Sequence, residues 1–254
     1  MSGRLMVIGL GPGDDRYLTR EALAALEAAD ALYGYGPYLD RVPARECQSR
    51  HPSGNREEGA RADAALRHVA DGANVSVVSG GDPGVFAMAA ALCEKIETGP
   101  EAWRALDILI IPGITAMLAV AARAGAPLGH DFCALSLSDN LKPWELIERR
   151  LDAAASAGFV IALYNPISRA RPWQLATAFE RLGRYLPAST PVIFGHAVGR
   201  PGEKMIVTTL DKAGDTTADM ATLIIVGSSE TRVIARPGRA PLVYTPRSVE
   251  DAMA

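Results

Sequence analysis

The chain has 254 residues, of which 48% are hydrophobic, and its 26 basic and 29 acidic residues give a formal net charge of −3. This length allows one large domain or two smaller ones, each with a full hydrophobic core. The slightly acidic balance argues against a generally basic surface for nucleic acid. No stretch approaches the roughly 20 apolar residues of a membrane span, and no apolar signal segment is seen at the N-terminus.

The three cysteines, at positions 47, 93 and 133, are far apart and lack CxxC spacing. This argues against a disulfide framework and against a metal site, and it favours free thiols in a reducing compartment. We therefore expect a cytoplasmic protein with no membrane, nucleic-acid or metal partner.

The first predicted strand covers residues 4–9 and leads into Gly9-Leu-Gly-Pro-Gly-Asp14. This loop resembles a dinucleotide-binding fingerprint, but Pro12 removes an amide and the third glycine comes too early. A nucleotide-dependent oxidoreductase is therefore the disfavoured alternative. Thr19 is placed to cap a following helix, whose predicted apolar side is Leu23, Leu26 and Ala29.

A tyrosine-rich stretch follows a short strand within residues 30–39. Tyr33, Tyr35 and Tyr38 could line a cavity for a flat, partly polar ligand, or they could pack the loop itself. Residues 43–59 are predicted to be irregular and residues 57–70 helical. The arginines of this region form either a solvated face or a surface for a ligand with many carboxylates: Arg56, Arg61 and Arg67.

Residues 75–78 predict a short buried strand that runs into Gly80-Gly-Asp-Pro83, and an apolar helix is predicted from Gly84 to Leu92. A carboxylate and several bare amides would then lie at the carboxyl edge of a sheet, where α/β proteins bind ligands. Asp82 could accept hydrogen bonds from a ligand, or it could be the N-cap of the helix.

The next strand, residues 106–111, leads into Pro112-Gly-Ile-Thr-Ala116 and a helix over residues 117–124. Residues 125–129 are predicted to be a linker. We expect an N-terminal α/β domain over residues 1–115 and a C-terminal α/β domain over residues 116–254.

The second half again alternates strands with helices. Strands are predicted at residues 133–138, 158–164, 191–195, 204–209 and 222–227. Residues 139–157 and most of residues 168–185 are predicted to be helical, with Asp139 at the start of the first, and residues 231–254 are predicted to be a tail. This alternation predicts the α/β class.

Three motifs together resemble the tetrapyrrole (corrin/porphyrin) methylase family: the glycine loop with Leu18-Thr19, Gly80-Gly-Asp-Pro83, and Pro112-Gly-Ile-Thr-Ala116. The resemblance implies two α/β domains with mixed or parallel sheets and an active site in the cleft between them, the fold of class III S-adenosylmethionine methyltransferases. It also implies S-adenosyl-L-methionine as methyl donor, a small-molecule tetrapyrrole substrate and a homodimer. The first domain would hold the substrate and part of the donor site, and the second the rest of the donor site and the dimer contacts.

Other stretches resemble the branch of this family that acts on precorrin-3B: Gly34-Tyr-Gly-Pro-Tyr-Leu39, Leu135-Ser-Leu-Ser-Asp139 with Pro143-Trp-Glu145, and Ala162-Leu-Tyr-Asn-Pro166 with Arg171-Pro172. That similarity implies methylation at C17 coupled to ring contraction, which gives precorrin-4 in cobalamin biosynthesis. The Arg56–Arg67 region would then meet the carboxylates of the ring. Gly34 stands where uroporphyrinogen-type members carry an aspartate, and His196 where related C17 enzymes more often have asparagine.

By position in the motifs, the resemblance places the donor site in both domains: Pro12, Gly80, Gly81, Asp82, Val85, Thr115, Ala116, Tyr164, Asn165 and Ala197. Ring contraction needs proton movement, for which Asp139 and Tyr35 are the candidate catalytic residues. A plain helix N-cap is the preferred interpretation of Asp139.

Three rival functions stay open. The first is a methylase acting on another precorrin, on a cobalt-containing precursor, or on a non-tetrapyrrole target such as diphthine or ribosomal RNA. The second is the nucleotide-dependent oxidoreductase, and the third is a non-catalytic corrinoid-binding protein. The broken fingerprint counts against the second, and donor binding together with methyl transfer would separate the third from the enzymes.

Overall fold

A computed structural model describes residues 3–248. The chain divides into two compact units, Met1–Thr115 and Ala116–Ala254. Each unit is built around its own five-stranded sheet covered by helices, so the predicted α/β class is confirmed. Among the described residues, no helix combines the length and hydropathy needed to cross a bilayer.

The first unit contains a wholly parallel sheet with strand order β3-β2-β4-β1-β5. Its strands are β1 (Arg4–Gly9), β2 (Ala31–Tyr35), β3 (Ser49–Ser53), β4 (Val75–Ser79) and β5 (Asp107–Ile111). Its helices are α1 (Arg20–Ala28), α2 (Gly36–Leu39), α3 (Glu58–Ala70) and α4 (Met88–Thr98). Because all strands are parallel, their carboxyl ends lie along one edge.

Apolar side chains cover both faces of this sheet, as is usual for parallel strands. Leu5 and Val7 of β1 pack with α3 and α4, whereas Met6 and Ile8 pack with α1 on the other face. Thr19 caps α1 as predicted, because its Oγ1 accepts from the Ala22 amide at 3.0 Å. The prediction that Leu23 lies on the apolar side of α1 was wrong, because 44% of this residue is exposed. The buried residues of the helix are Ala22, Ala25 and Leu26.

Two predicted segments of the first unit also differ from the structure. Residues 43–59 are not wholly irregular, because β3 lies within them and pairs with β2. Pro52 masks this strand in the sequence, but β3 is an edge strand, where proline is tolerated. The helix after β4 begins at Met88 rather than Gly84, because residues 83–87 turn first and Phe86 adopts a φ of 52°.

The second unit has a mixed sheet with strand order β10-β9-β11-β8-β7. β7 and β8 are parallel, and β11 runs antiparallel to both β8 and β9, so β7, β8 and β9 share one direction. The strands are β7 (Phe132–Ser136), β8 (Val160–Tyr164), β9 (Pro191–His196), β10 (Lys204–Thr209) and β11 (Thr222–Val226). The helices are α5 (Ala116–Ala124), α6 (Trp144–Ser156) and α7 (Gln174–Leu182).

The predicted linker and the predicted tail together form a second, three-stranded sheet. Strand β6 (Gly125–Ala126) pairs with β13 (Arg239–Tyr244), which pairs in turn with β12 (Arg232–Arg236). The linker prediction was wrong for residues 125–126 and the tail prediction for residues 232–236 and 239–244, because prolines and arginines hide the strand pattern. The register shifts between Ile234 and Arg236, which accommodates Pro241 since proline has no amide for the ladder. Residues 249–254 of the predicted tail lie outside the described residues.

One of the three tyrosines has a packing role inside the first unit. Only 8% of Tyr33 is exposed, and its ring stacks on His51 with centroids 4.3 Å apart. Its hydroxyl lies 3.2 Å from His68 Nδ1. Burial raises the pKa of Tyr33, so the phenol stays protonated. Tyr33 therefore packs the interior.

The His51 contact predicts a pH-dependent stability. Burial, and to a lesser extent His68, lower the pKa of His51 from 6.5. Below that pH, His51 binds a proton more readily in the unfolded chain than in the folded chain. Its contribution to the free energy of unfolding is therefore constant above about pH 6.5 and falls as the pH drops further. Urea unfolding between pH 7.5 and 5.5 should show this loss, and His51→Gln should reduce it. Identical pH slopes for both proteins would contradict the prediction.

Candidate active site

The loops that follow β1 and β4 are joined by their backbones at the carboxyl edge of the first sheet. Gly11 and Gly81 exchange two amide–carbonyl hydrogen bonds, at 3.1 and 2.9 Å, and the Leu10 amide donates to Ser79 O at 2.8 Å. Both glycines have positive φ, 66° and 69°, which glycine adopts without strain. The glycine loop and the Gly-Gly-Asp-Pro turn, far apart in the sequence, thus form one structure.

The loop after β5 packs against the same structure with no room for side chains. A Cβ on Gly113 would lie 2.2 Å from Gly81 O and 2.8 Å from Gly9 Cα. A Cβ on Gly9 would lie 2.6 Å from Gly113 N. These glycines are needed for close contact between backbones, a role distinct from the ligand approach inferred for the glycines of the β4 loop.

The Asp82 carboxylate connects two of these loops. Its Oδ1 accepts from the Gly84 amide at 2.8 Å and its Oδ2 accepts from the Gly113 amide at 3.0 Å. The N-cap interpretation was wrong, because α4 begins at Met88 with Ala87 in the cap position. Asp82 instead holds the β4 loop and the β5 loop at a fixed separation.

The other predicted donor residues of this unit lie in the same three loops. Pro12 and Val85 are half-buried, and Thr115 is buried with 6% exposure. The Val85 amide donates to Asp82 O at 3.3 Å. The structure therefore gathers all the predicted donor residues of the first unit at one edge.

Arg41 was missed by the sequence reasoning. Its Nη2 donates to three carbonyls of the glycine loop: Leu10 O at 2.7 Å, Gly11 O at 3.0 Å and Gly13 O at 2.6 Å. Satisfied carbonyls in an irregular loop reduce the number of conformations open to it. No sequence pattern connects a single arginine with a loop about thirty residues earlier, so only the structure reveals this contact.

Tyr35 and Tyr38 lie beside the β4 loop. Their rings meet edge to face, with centroids 5.4 Å apart. The Tyr38 ring lies against Gly80, where an added Cβ would be 2.7 Å from Tyr38 Cζ. Position 80 therefore has no space for a side chain, because the Tyr38 ring occupies it.

This contact predicts that Gly80→Ala and Tyr38→Ala are energetically coupled. Gly80→Ala alone should cost about 1 kcal/mol, since the ring must move away from the new methyl group. In a Tyr38→Ala background the same change should cost almost nothing. Urea unfolding of the four proteins gives the coupling energy. Additive effects would mean that the ring does not rest on Gly80.

The three arginines proposed to meet carboxylates do not form one surface. Arg61 is buried with 5% exposure, and its guanidinium donates to Ser53 Oγ at 2.6 Å and Gly54 O at 2.9 Å. Arg67 is exposed and pairs with Asp63 at 2.8 Å. Arg56 is exposed, with a φ of 69°. Arg61 thus supports the loop after β3 from inside.

In the second unit, predicted site residues follow the carboxyl ends of three strands that share one direction. Asp139 follows β7, Asn165 follows β8 and Ala197 follows β9. Asn165 and Ala197 have φ of 52° and 48°, a strained region for residues with side chains that is enriched at functional sites. His196, at the end of β9, has its Nδ1 3.2 Å from Asp219 Oδ1.

Tyr164 and Asn165 are held by hydrogen bonds within this unit. The Asn165 Nδ2 donates to Ser136 Oγ at 2.9 Å, which joins the ends of β8 and β7. The Tyr164 hydroxyl accepts from the Met117 amide at 3.1 Å. It thereby satisfies a free amide in the first turn of α5, next to Ala116, the first residue of that helix.

Asp139 does not cap a helix. Helix α6 begins at Trp144, with Pro143 in the cap position, so the preferred interpretation of Asp139 was wrong. Its Oδ1 instead accepts from Arg171 Nη1 at 2.5 Å. The hydrogen bond from the Arg171 guanidinium lowers the pKa of Asp139 further below its usual value, and the group is a charged carboxylate at neutral pH.

Comparisons with known proteins agree with these features. The sequence profile of the Tetrapyrrole (Corrin/Porphyrin) Methylases matches residues 4–214. A precorrin-3B C(17)-methyltransferase from Sinorhizobium sp. is 62% identical, over 97% of this chain and 97% of that protein. A probable cobalt-factor III C(17)-methyltransferase from Salmonella typhimurium is 40% identical, over 96% of this chain and 98% of that protein.

A solved structure shows the same architecture along nearly the whole chain. The crystal structure of the methyltransferase CobJ superposes with a TM-score of 0.90 at 48% identity, covering 96% of this chain and 100% of that one. Together with the profile match and the glycine loops described above, this similarity identifies the chain as a member of the tetrapyrrole (corrin/porphyrin) methylases.

Proposed function

We propose that this protein methylates C17 of precorrin-3B and contracts its ring to give precorrin-4, in cobalamin (vitamin B12) biosynthesis. The observation that carries the proposal is the 62% identity with a precorrin-3B C(17)-methyltransferase along 97% of both chains. Such identity over whole chains, in a family of methylases, supports a shared reaction as well as a shared fold.

The residues at the strand ends fit S-adenosyl-L-methionine as the methyl donor. Gly80 and Gly81 lie in a half-buried loop and carry no side chains, and Pro12 and Val85 offer half-buried apolar surface. Asn165 and Ala197 hold strained backbone at the corresponding strand ends of the second unit. A donor with an amine, a carboxylate and a flat adenine suits a site built from backbone groups and small apolar surfaces.

We propose that both units contribute to donor binding: Pro12, Gly80, Gly81, Asp82, Val85 and Thr115 from the first, and Ala116, Tyr164, Asn165 and Ala197 from the second. The bound donor would carry its methyl group on a sulfonium. When the methyl group is transferred, its bond to sulfur breaks and the rest of the donor leaves as a neutral thioether. The protein then mainly has to hold and orient the reacting partners. The close packing of Gly113 and its hydrogen bond to Asp82 hold the β4 and β5 loops together, which would keep the donor site in one arrangement.

The ring contraction also needs proton movement, for which Tyr35 and Asp139 stay the proposed groups. Tyr35 lies at the carboxyl end of β2, with its ring against Tyr38. Asp139 lies at the carboxyl end of β7 and is charged, as described above. A charged carboxylate can accept a proton, so its proposed role is that of a base.

A cobalt-containing substrate is the second candidate. The relative that is 40% identical over 96% of this chain is named as a probable cobalt-factor III C(17)-methyltransferase. Methyl transfer to the same carbon would then occur on a ring that already carries the metal.

The test is an anaerobic incubation of the purified protein with precorrin-3B and methyl-labelled S-adenosylmethionine, read by mass spectrometry and NMR. One labelled methyl on a contracted ring is the expected result. A parallel incubation with cobalt-factor III tests the second candidate. Donor binding without transfer to either substrate would point to another precorrin, and absence of donor binding would overturn the proposal.

We further propose that the protein is a homodimer in the cytoplasm. The homodimer follows from the family resemblance, and sedimentation equilibrium at micromolar concentration would test it. Exposed free thiols at Cys47 and Cys93 are typical of a reducing compartment, and fractionation of the producing cells would test that location.

A further inference from the structure

Arg171 joins two loops of the second unit through the Asp139 carboxylate. Its Nη1 donates to Asp139 Oδ1 at 2.5 Å and to Ser138 Oγ at 3.1 Å. The side chains of Arg171 and Asp139 are 14% and 28% exposed. A short ion pair of this kind, largely withdrawn from water, is stronger than the usual surface pair.

Arg171 is itself held by a tight turn. The backbones of Ser168 and Arg171 exchange two hydrogen bonds, at 3.3 and 3.0 Å, and Arg171 Nε donates to Ser168 Oγ at 3.3 Å. This turn follows Asn165, whose side chain is bonded to Ser136 at the end of β7. The turn therefore fixes the position from which the guanidinium contacts Asp139. The loops after β7 and β8 are joined by two sets of side-chain hydrogen bonds.

The second unit offers a matched ion pair elsewhere. Arg181 of α7 contacts Asp152 at 2.8 Å and Glu148 at 3.0 Å, both on α6, and the side chains of Arg181 and Asp152 are 21% and 26% exposed. That pair joins two helices and touches none of the predicted site residues. Two arginine–aspartate pairs of similar burial thus differ in where they lie: one on the helices, the other at the strand ends beside Asn165.

We propose that Arg171 is a positioning residue for the reaction, which acts through Asp139 by fixing its carboxylate in place. This inference rests on the proposed function, since it needs a step in which Asp139 takes up a proton. It explains why a charged pair, costly to desolvate, lies at the strand ends instead of two apolar side chains. Arg171 itself touches no reacting atom in this scheme.

The experiment measures kcat, KM and the donor dissociation constant for a set of variants: Arg171→Gln, Arg171→Lys, Asp139→Asn, the double variant Asp139→Asn with Arg171→Gln, and the charge-swapped Asp139→Arg with Arg171→Asp. Arg181→Gln is the control for a structural ion pair. It should lower thermal stability but leave kcat within about twofold of the wild type. The pH dependence of kcat is recorded for wild type and Arg171→Gln.

We expect Arg171→Gln and Asp139→Asn each to lower kcat about tenfold or more, and the double variant to be no slower than the slower single variant. Arg171→Lys should recover part of the loss, because it keeps the charge without the fork of donors. Removing the cation raises the pKa of the carboxyl, so the acidic limb of the Arg171→Gln profile should move to higher pH. The swapped variant should stay slow, because it restores the ion pair but not the carboxylate at position 139.

Wild-type kcat in Arg171→Gln, full recovery in the swapped variant, or a weakened donor affinity with unchanged kcat would each overturn the inference while leaving the proposed function intact. A wild-type protein that transfers no methyl to precorrin-3B, in contrast, would overturn the proposed function, and the inference would fall with it.

Discussion

Gly113→Ala is expected to destabilise the first unit strongly and to weaken donor binding more than tenfold. The new Cβ would lie 2.2 Å from Gly81 O and 2.8 Å from Gly9 Cα, and both are backbone atoms that cannot rotate away. The loops after β1, β4 and β5 would have to separate. Overpacking of this kind costs about 1–3 kcal/mol, which corresponds to a fall in melting temperature of roughly 2–12 °C for a chain of this length.

Thermal unfolding and donor calorimetry on the same protein preparation measure both effects. Gly59→Ala is the control, because a Cβ there would meet only the end of the Lys95 side chain at 3.4 Å. It lies in the first turn of α3, where alanine is the better helix former, so its stability should be equal or slightly higher. A Gly113→Ala protein that melts with the wild type and binds donor normally would show that the three loops are not packed as described.

The regular part of the fold could be predicted because its signals are local. Most strands of the five-stranded sheets are runs of apolar, often β-branched residues, such as those of β4, which ends before Gly80, and β11, which ends before Gly227. The signal is lost in edge strands and small sheets. In β3 and β13 the residues include Pro52 and Pro241, which read as breaks until the partner strand is known.

The gathering of the motifs was predictable for a different reason. Parallel strands bring their carboxyl ends to one edge, so loops that follow β1, β4 and β5 must meet wherever they lie in the sequence. What each residue does there was not predictable. Asp82 could have been a cap or a ligand, and its bond to the Gly113 amide depends on a contact between residues 31 positions apart.

The same limit applies to Asp139 in the second unit. An aspartate a few residues before a helix normally indicates an N-cap, but Arg171, 32 positions later, takes its carboxylate. Arg41 is a further example, since it supports the glycine loop from outside every motif. Local patterns predict elements, whereas long-range polar contacts decide the roles of the side chains between them.

Asp82→Ala is expected to raise the donor dissociation constant about 10–100-fold. The change removes two hydrogen bonds from amides to a carboxylate, at 2.8 and 3.0 Å, and bonds to charged groups contribute about 1.5–3 kcal/mol each. The Gly113 amide would lose its acceptor in a half-buried loop, so the β4 and β5 loops would move independently. Even half of that free energy corresponds to more than a tenfold loss of affinity.

Calorimetric titration with S-adenosylhomocysteine would measure the effect on Asp82→Ala and Asp82→Asn. Asparagine keeps one carbonyl acceptor of the same size but no charge, so its dissociation constant should fall between wild type and alanine. Asp63→Ala is the control, because that carboxylate pairs with Arg67 on the same face of α3, away from the three loops. If both Asp82 variants bind the ligand within twofold of the wild type, Asp82 has no part in the donor site. A loss confined to Asp82→Ala would show that bridging the two loops, rather than negative charge, is what donor binding requires.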